Sequence, residues 1–147
     1  MQHHLSAMVS LLHQMRLEIV SALPTYAGAN MTDQELFDRV VTHLAKQGRR
    51  AMARVACLYR TPDGLKCAIG CLIPDEKYRA EMELDPDIWE EVMEVAGISD
   101  EQDWLARQLQ RSHDSSTTAE LLRSNLLATA RAYKLDPHLI GTITTWQ

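Results

Sequence analysis

Apolar side chains at Leu5, Met8, Leu12, Met15, Ile19 and Ala22 recur at steps of 3, 4, 3, 4 and 3 residues, the spacing of a coiled-coil seam. His13, Gln14, Arg16 and Glu18 fall off that seam. Residues 5–22 therefore predict an amphipathic helix that either packs on its own domain or pairs with a second copy. Pro24 and Gly28 then oppose helix and make residues 23–30 a linker. A second helix is expected from Thr32, whose hydroxyl can cap while Glu35 reaches back. Leu36, Val40, Val41 and Leu44 form its buried stripe, and Gly48 stops it.

The period changes after that. Val55–Arg60 reads as a strand, and Pro62-Asp63-Gly64 suits a type I turn closed by a left-handed glycine. Cys67–Ile73 can continue as a second strand or roll into a helix. Helix from about Cys67 is preferred, because Gly70 then lets another element approach closely and Cys67 and Cys71 share one face. Helical spacing resumes behind an Asp85 cap with Pro86 in the first turn and Gly97 as the stop. Ser99 and Gln102 open a further helix through Arg111, and Thr117 and Glu120 another that carries Leu121, Leu122, Leu126, Leu127 and Ala130 to Tyr133. Asp136-Pro137 begins a short terminal piece ending in Trp146. The expected fold is mostly α (α+β): a compact helical domain over residues 31–147 with one small β-hairpin, preceded by an N-terminal helix and linker over residues 1–30.

Composition narrows the class. A chain of 147 residues is long enough to bury about 70% of its unfolded surface as one domain. Hydrophobic residues at 46% and charged ones at 24% exclude general disorder. A formal charge of -5 argues against a dedicated nucleic-acid binder. No apolar run approaches a membrane span, and the first residues lack the charged start and cleavage site of a signal peptide. Three cysteines do not suit a secreted disulfide framework, so a reducing cytoplasm is expected.

All three cysteines fall between Cys57 and Cys71, beside the main cluster of positive charge. Cys57, Cys67 and Cys71 with His113 could form a tetrahedral zinc site, although the Cys67–Cys71 gap lacks the usual knuckle. Buried cysteines also serve simply as small hydrophobes. Cys67 at a helix start could act as a nucleophile with His113 as base, but no nucleophile elbow surrounds it. For His113-Asp114 the plain reading is a helix junction, His113 complementing a C-terminal dipole and Asp114 meeting the next backbone donors. Lys46, Arg49, Arg50, Arg54, Arg60 and Lys66 lie in a stretch whose only acid is Asp63, and could hold phosphate groups. Residues 75–103 carry twelve acids, from Asp75 to Asp103, a surface for a basic protein or a nucleic-acid mimic.

Cys57-x-Tyr59-Arg60, then Gly64-x-Lys66-Cys67-Ala68-Ile69-Gly70-Cys71-Leu72-Ile73-Pro74-Asp75-Glu76-x-Tyr78, and later Leu109-Gln110-x-x-His113-Asp114 together resemble a signature of small proteins encoded by bacteriophages and prophages. The resemblance spans residues 32–135 and leaves residues 1–30 outside. It implies origin in a mobile element, an accessory rather than virion-building role, and action in the infected bacterium's cytoplasm. The expected function is non-enzymatic binding directed at counter-defence: inhibition of a host defence protein, or capture of a nucleotide-type signal. Arg49, Arg50, Arg54, Tyr59, Arg60, Lys66, His113 and Asp114 are the candidate binding residues, with no resident cofactor. Two rivals remain: a small hydrolase or transferase using Cys67 and His113, and a structural zinc module.

Overall fold

The computed structural model describes residues 31–147. The dimer seam expected over residues 5–22 lies outside the described residues. Helix α1 (Asp33–Gln47) begins at Thr32, whose hydroxyl accepts the Glu35 N–H while the Glu35 carboxylate accepts the Thr32 N–H. It ends at Gly48 in the left-handed region (φ 68°), with the Gly48 N–H donating to the Leu44 carbonyl. Both ends are as the sequence predicts, and the buried stripe gains Phe37.

The small antiparallel sheet lies earlier than expected. Strands β1 (Met52–Ala53) and β2 (Ala56–Cys57) pair Met52 with Cys57 and Ala53 with Ala56. The turn between them puts Arg54 at φ 59° and leaves Val55 94% exposed. Val55 is thus a turn residue, not the start of a strand. The predicted Thr61–Gly64 turn does form, with Gly64 at φ 89° donating to the Thr61 carbonyl, but it closes only an isolated Arg60–Lys66 bridge.

Cys67–Ile73 is helical in its hydrogen bonding yet too tight for an α-helix. The Cys71 N–H reaches the Cys67 carbonyl, and Gly70–Leu72 is one 3₁₀ turn. Here the expected close approach is found. A Cβ on Gly70 would stand 1.9 Å from the Tyr59 carbonyl oxygen.

Two more 3₁₀ turns, Asp75–Lys77 and Ala80–Glu83, lead to helix α2 (Trp89–Ala96). It starts later than the Asp85-Pro86 pair suggests, because the Asp85 carboxylate closes a turn of its own on the Asp87 N–H. Gly97 ends it at φ 74°. Ser99 and Gln102 form the predicted capping box around a 3₁₀ turn that feeds helix α3 (Asp103–Ser115), a turn longer than expected. Helix α4 (Ala119–Ala132) is capped by Thr118, whose hydroxyl accepts from the Leu121 N–H; Thr117, one residue earlier, is not the cap.

The core lies where α1, α3 and α4 meet, with the C-terminal 3₁₀ turn Ile140–Thr142 packed on α1 and α4. Leu36, Phe37, Leu105, Leu109, Leu122 and Leu126 are fully buried there. Each such side chain contributes about 1.5–3 kcal/mol of transfer free energy. The fold is mostly α with one two-stranded sheet. Among the described residues no helix is long and apolar enough to cross a membrane.

Candidate functional site

The last turn of α3 brings His113 into the interior, fully buried, edge-on to Trp146 at 5.6 Å between ring centres. Its Nε2 accepts the Ala51 N–H at 3.0 Å. A backbone amide is always a donor, so Nε2 carries no proton and the hydrogen sits on Nδ1. Nδ1–H donates to Asp114 Oδ1 at 2.7 Å. Asp114 also accepts from the Gln110 amide at 2.8 Å, again on Oδ1. Gln110 in turn accepts the Ile69 N–H with its Oε1, tying α3 to the Cys67–Ile73 segment. His113-Asp114 does sit in the last turn of α3, just before α4 (Ala119–Ala132), but its side chains form an internal clasp rather than capping the helix ends.

A ring nitrogen of His113, Cys57 Sγ and an Asp114 oxygen lie within 4.8 Å of one another, a donor group a metal could use. Cys67 and Cys71 stand outside it. The Cys67 sulfur accepts the Gly70 N–H at 3.2 Å, and the Cys71 thiol donates to the Ala68 carbonyl at 3.1 Å. The group does not fit zinc. A metal on Nδ1 requires a proton on Nε2, donated to an acceptor, but the Ala51 N–H occupies that position as a donor. The hydrogen on Nδ1 takes the place of the ion.

The same tautomer removes the base that a cysteine nucleophile needs. Burial pushes the Cys57 thiol up to about 11, helped by the neighbouring Asp114 charge. Burial likewise raises Cys71 to about 12 and Cys67 further still. Thiolate is the reactive form, so the native protein should react poorly with a disulfide reagent at pH 8: Cys67 not at all, Cys57 and Cys71 slowly, all three at once in denaturant. Zinc should leave the melting temperature unchanged. A zinc-dependent rise of several degrees would overturn the tautomer assignment.

Of the candidate cations Arg50 reaches the clasp, the others sit apart from it, and most are engaged. Arg60 and Lys66 share Asp75 at 3.0 and 3.4 Å, which holds that carboxyl below its usual range. Arg60 also lies 4.5 Å over the Tyr78 ring and donates to the Ile73 carbonyl. Arg49 pairs with Asp63 at 3.7 Å; Arg50 donates to the Asp114 carbonyl at 3.5 Å; Arg54 occupies the exposed sheet turn. They form no common anion cradle among the described residues.

Glu83, which nothing in the sequence marks, holds the hairpin in place. Its carboxylate accepts the Tyr59 and Arg60 N–H groups at 3.0 and 2.9 Å and the Tyr78 hydroxyl at 3.0 Å. Tyr59 lies beneath, its phenol pushed up to about 12 chiefly by burial.

Above this floor opens a cleft of about 340 Å³ between Cys57, Tyr59, Cys67, Glu83 and Trp89. It shares Trp89, Arg107, Gln110 and Asp114 with a wider groove of about 740 Å³ that extends along α3 to Trp104, Arg111 and Ser115. Trp89 donates its indole N–H to Asp103 at 2.6 Å, and Arg107 lies 4.8 Å over the Trp89 ring with its Nε on the same carboxylate. Of the groove residues only Gln110 and Asp114 belong to a motif visible in the sequence; Trp89, Trp104, Arg107 and Arg111 were given away by nothing but their side-chain types. No family model, curated protein or solved structure matches this chain.

Proposed function

We propose that this chain is a non-enzymatic accessory protein of a phage or other mobile element that acts by binding in the bacterial cytoplasm, in counter-defence. One observation carries the binding reading: every chemically versatile side chain of the clasp is engaged inward, while the groove above it offers aromatic faces and hydrogen-bond donors. His113, Asp114, Gln110 and the Cys67 and Cys71 sulfurs engage one another or the backbone. Such a floor gives a ligand surface its shape without supplying a base or a nucleophile. The motif's resemblance to phage and prophage proteins supports the setting.

Native mass spectrometry of protein purified from bacterial cytosol tests this. A non-covalent adduct is expected, retained in Cys57→Ser and Cys67→Ser. A covalent adduct, or turnover lost in Cys67→Ser, would favour the hydrolase or transferase instead.

A second reading, inhibition of a basic host protein, is favoured by charge. Of the twelve acids from Asp75 to Asp103, three hold an arginine or lysine: Asp75, Glu91 and Asp103. Among the described residues the other nine hold none. Glu90→Lys with Glu94→Lys, two exposed sites one turn apart on α2, should then weaken a host-protein complex about tenfold or more and flatten its salt dependence. An unchanged dissociation constant would overturn that reading.

A further inference from the structure

The α3 groove has a chemistry of its own. Trp104, Arg107, Gln108 and Arg111 recur at helical spacing and line it together. Its volume of about 740 Å³ is that of a small-molecule site. The Trp104 indole is 68% exposed, and its N–H has no partner among the described residues. Arg111 likewise has no acid and no hydrogen-bond acceptor for its guanidinium there. Arg107 commits only its Nε, to Asp103, leaving its terminal nitrogens open.

The groove's acceptors are in the opposite condition. Asp114, the only acid lining it, receives hydrogen bonds from His113 and Gln110 on Oδ1. Gln110 has both ends engaged, and Ser115 donates to the Arg111 carbonyl. Apart from the Gln108 amide, the Ser115 oxygen and the second oxygen of Asp114, whose side chain is 42% exposed, the open polar groups are donors, and two of them belong to cations. The ligand that completes such a surface is flat and rich in acceptors, with negative charge at one end.

Resting on the binding reading above, we infer that the groove between Trp89 and Trp104 takes a nucleotide, its base against the Trp104 indole and its phosphate on Arg111 and Arg107. Stacking on an exposed indole is tolerant of the base and contributes substantially per base. A guanidinium grips phosphate with paired, charge-assisted hydrogen bonds. Arg107 on Trp89 shows that this wall already places a guanidinium over an aromatic face. The chain's net charge of -5 does not oppose it, since at physiological salt charges beyond about 8 Å are largely screened while Arg111 acts at contact.

Tryptophan fluorescence titration with AMP tests the assignment, with adenosine and inorganic phosphate as the two halves. AMP should quench the wild type at concentrations where neither half does. Trp104→Ala and Arg111→Gln, both at exposed positions, should each weaken AMP about tenfold or more. Arg111→Gln should also remove most of the preference over adenosine. AMP bound equally by wild type and both variants would place the nucleotide elsewhere and overturn the groove while leaving the binding reading intact. No AMP binding at millimolar concentration, with a non-covalent adduct of another kind in native mass spectrometry, would overturn the ligand class alone. Absence of any adduct would overturn small-ligand capture in the groove and leave host-protein inhibition as the binding reading.

Discussion

Gly70→Ala should destabilise the native fold severely. Its Cβ would lie 1.9 Å from the Tyr59 carbonyl oxygen and 2.7 Å from the carbonyl carbon, and side-chain carbons essentially never come within 3.0 Å of other atoms. Neither side can give way. The Tyr59 carbonyl accepts the Cys67 N–H, and the Tyr59 and Arg60 N–H groups are both held by Glu83. Backing the strand off forfeits two hydrogen bonds to a charged group, about 1.5–3 kcal/mol each. Staying in place adds overpacking strain of about 1–3 kcal/mol or more. Either cost removes a substantial share of a typical total of about 5–15 kcal/mol. Gly64→Ala is the control, for nothing lies within 4 Å of its Cβ and only its positive φ is strained, a cost of about 1 kcal/mol. Urea unfolding followed by circular dichroism decides it: equal midpoints for the two variants would refute the close approach.

His113→Leu should cost about 1.5–4.5 kcal/mol. The buried Ala51 N–H loses its acceptor, worth about 1–3 kcal/mol once desolvated. The edge contact with Trp146 goes too, at about 0.5–1.5 kcal/mol. Asp114→Asn keeps an acceptor for Nδ1–H and should lose less than half as much. The urea midpoint gives both values. An imidazole ¹⁵N spectrum showing the proton on Nε2 rather than Nδ1 would contradict the account.

What the sequence shows and what it hides divide by distance along the chain. The Thr32–Glu35 and Ser99–Gln102 boxes and the Gly48 and Gly97 stops are local, so their residues announce them. Gly70 was legible as well, because a glycine inside an otherwise apolar run has few uses besides close contact. Local ambiguity explains the one-residue error at Thr117 and Thr118, where two adjacent hydroxyls could both cap. The hairpin was misplaced because a non-glycine, Arg54, takes the left-handed turn position. Glu83 reaching back to Tyr59, and Ala51 selecting the tautomer of His113, depend on partners 24 and 62 residues away. No periodicity encodes such pairings. The cysteines show the same limit: their crowding marked the right segment, but geometry made them packing groups and placed Asp114, not Cys67, beside Cys57 and His113.

The floor of the groove is built of turns closed by distant residues, and that bears on when it exists. Ala51 meets His113, Tyr59 meets Glu83, Ile69 meets Gln110, and Ser116 receives the Trp146 indole only after the intervening chain has docked. Contacts so far apart close late, because each must first overcome the entropy of its loop. A partly folded chain that has formed α3 therefore carries one wall of the groove without its floor. A ligand that needs both counts finished molecules only, and its occupancy measures the folded population rather than the amount of chain made.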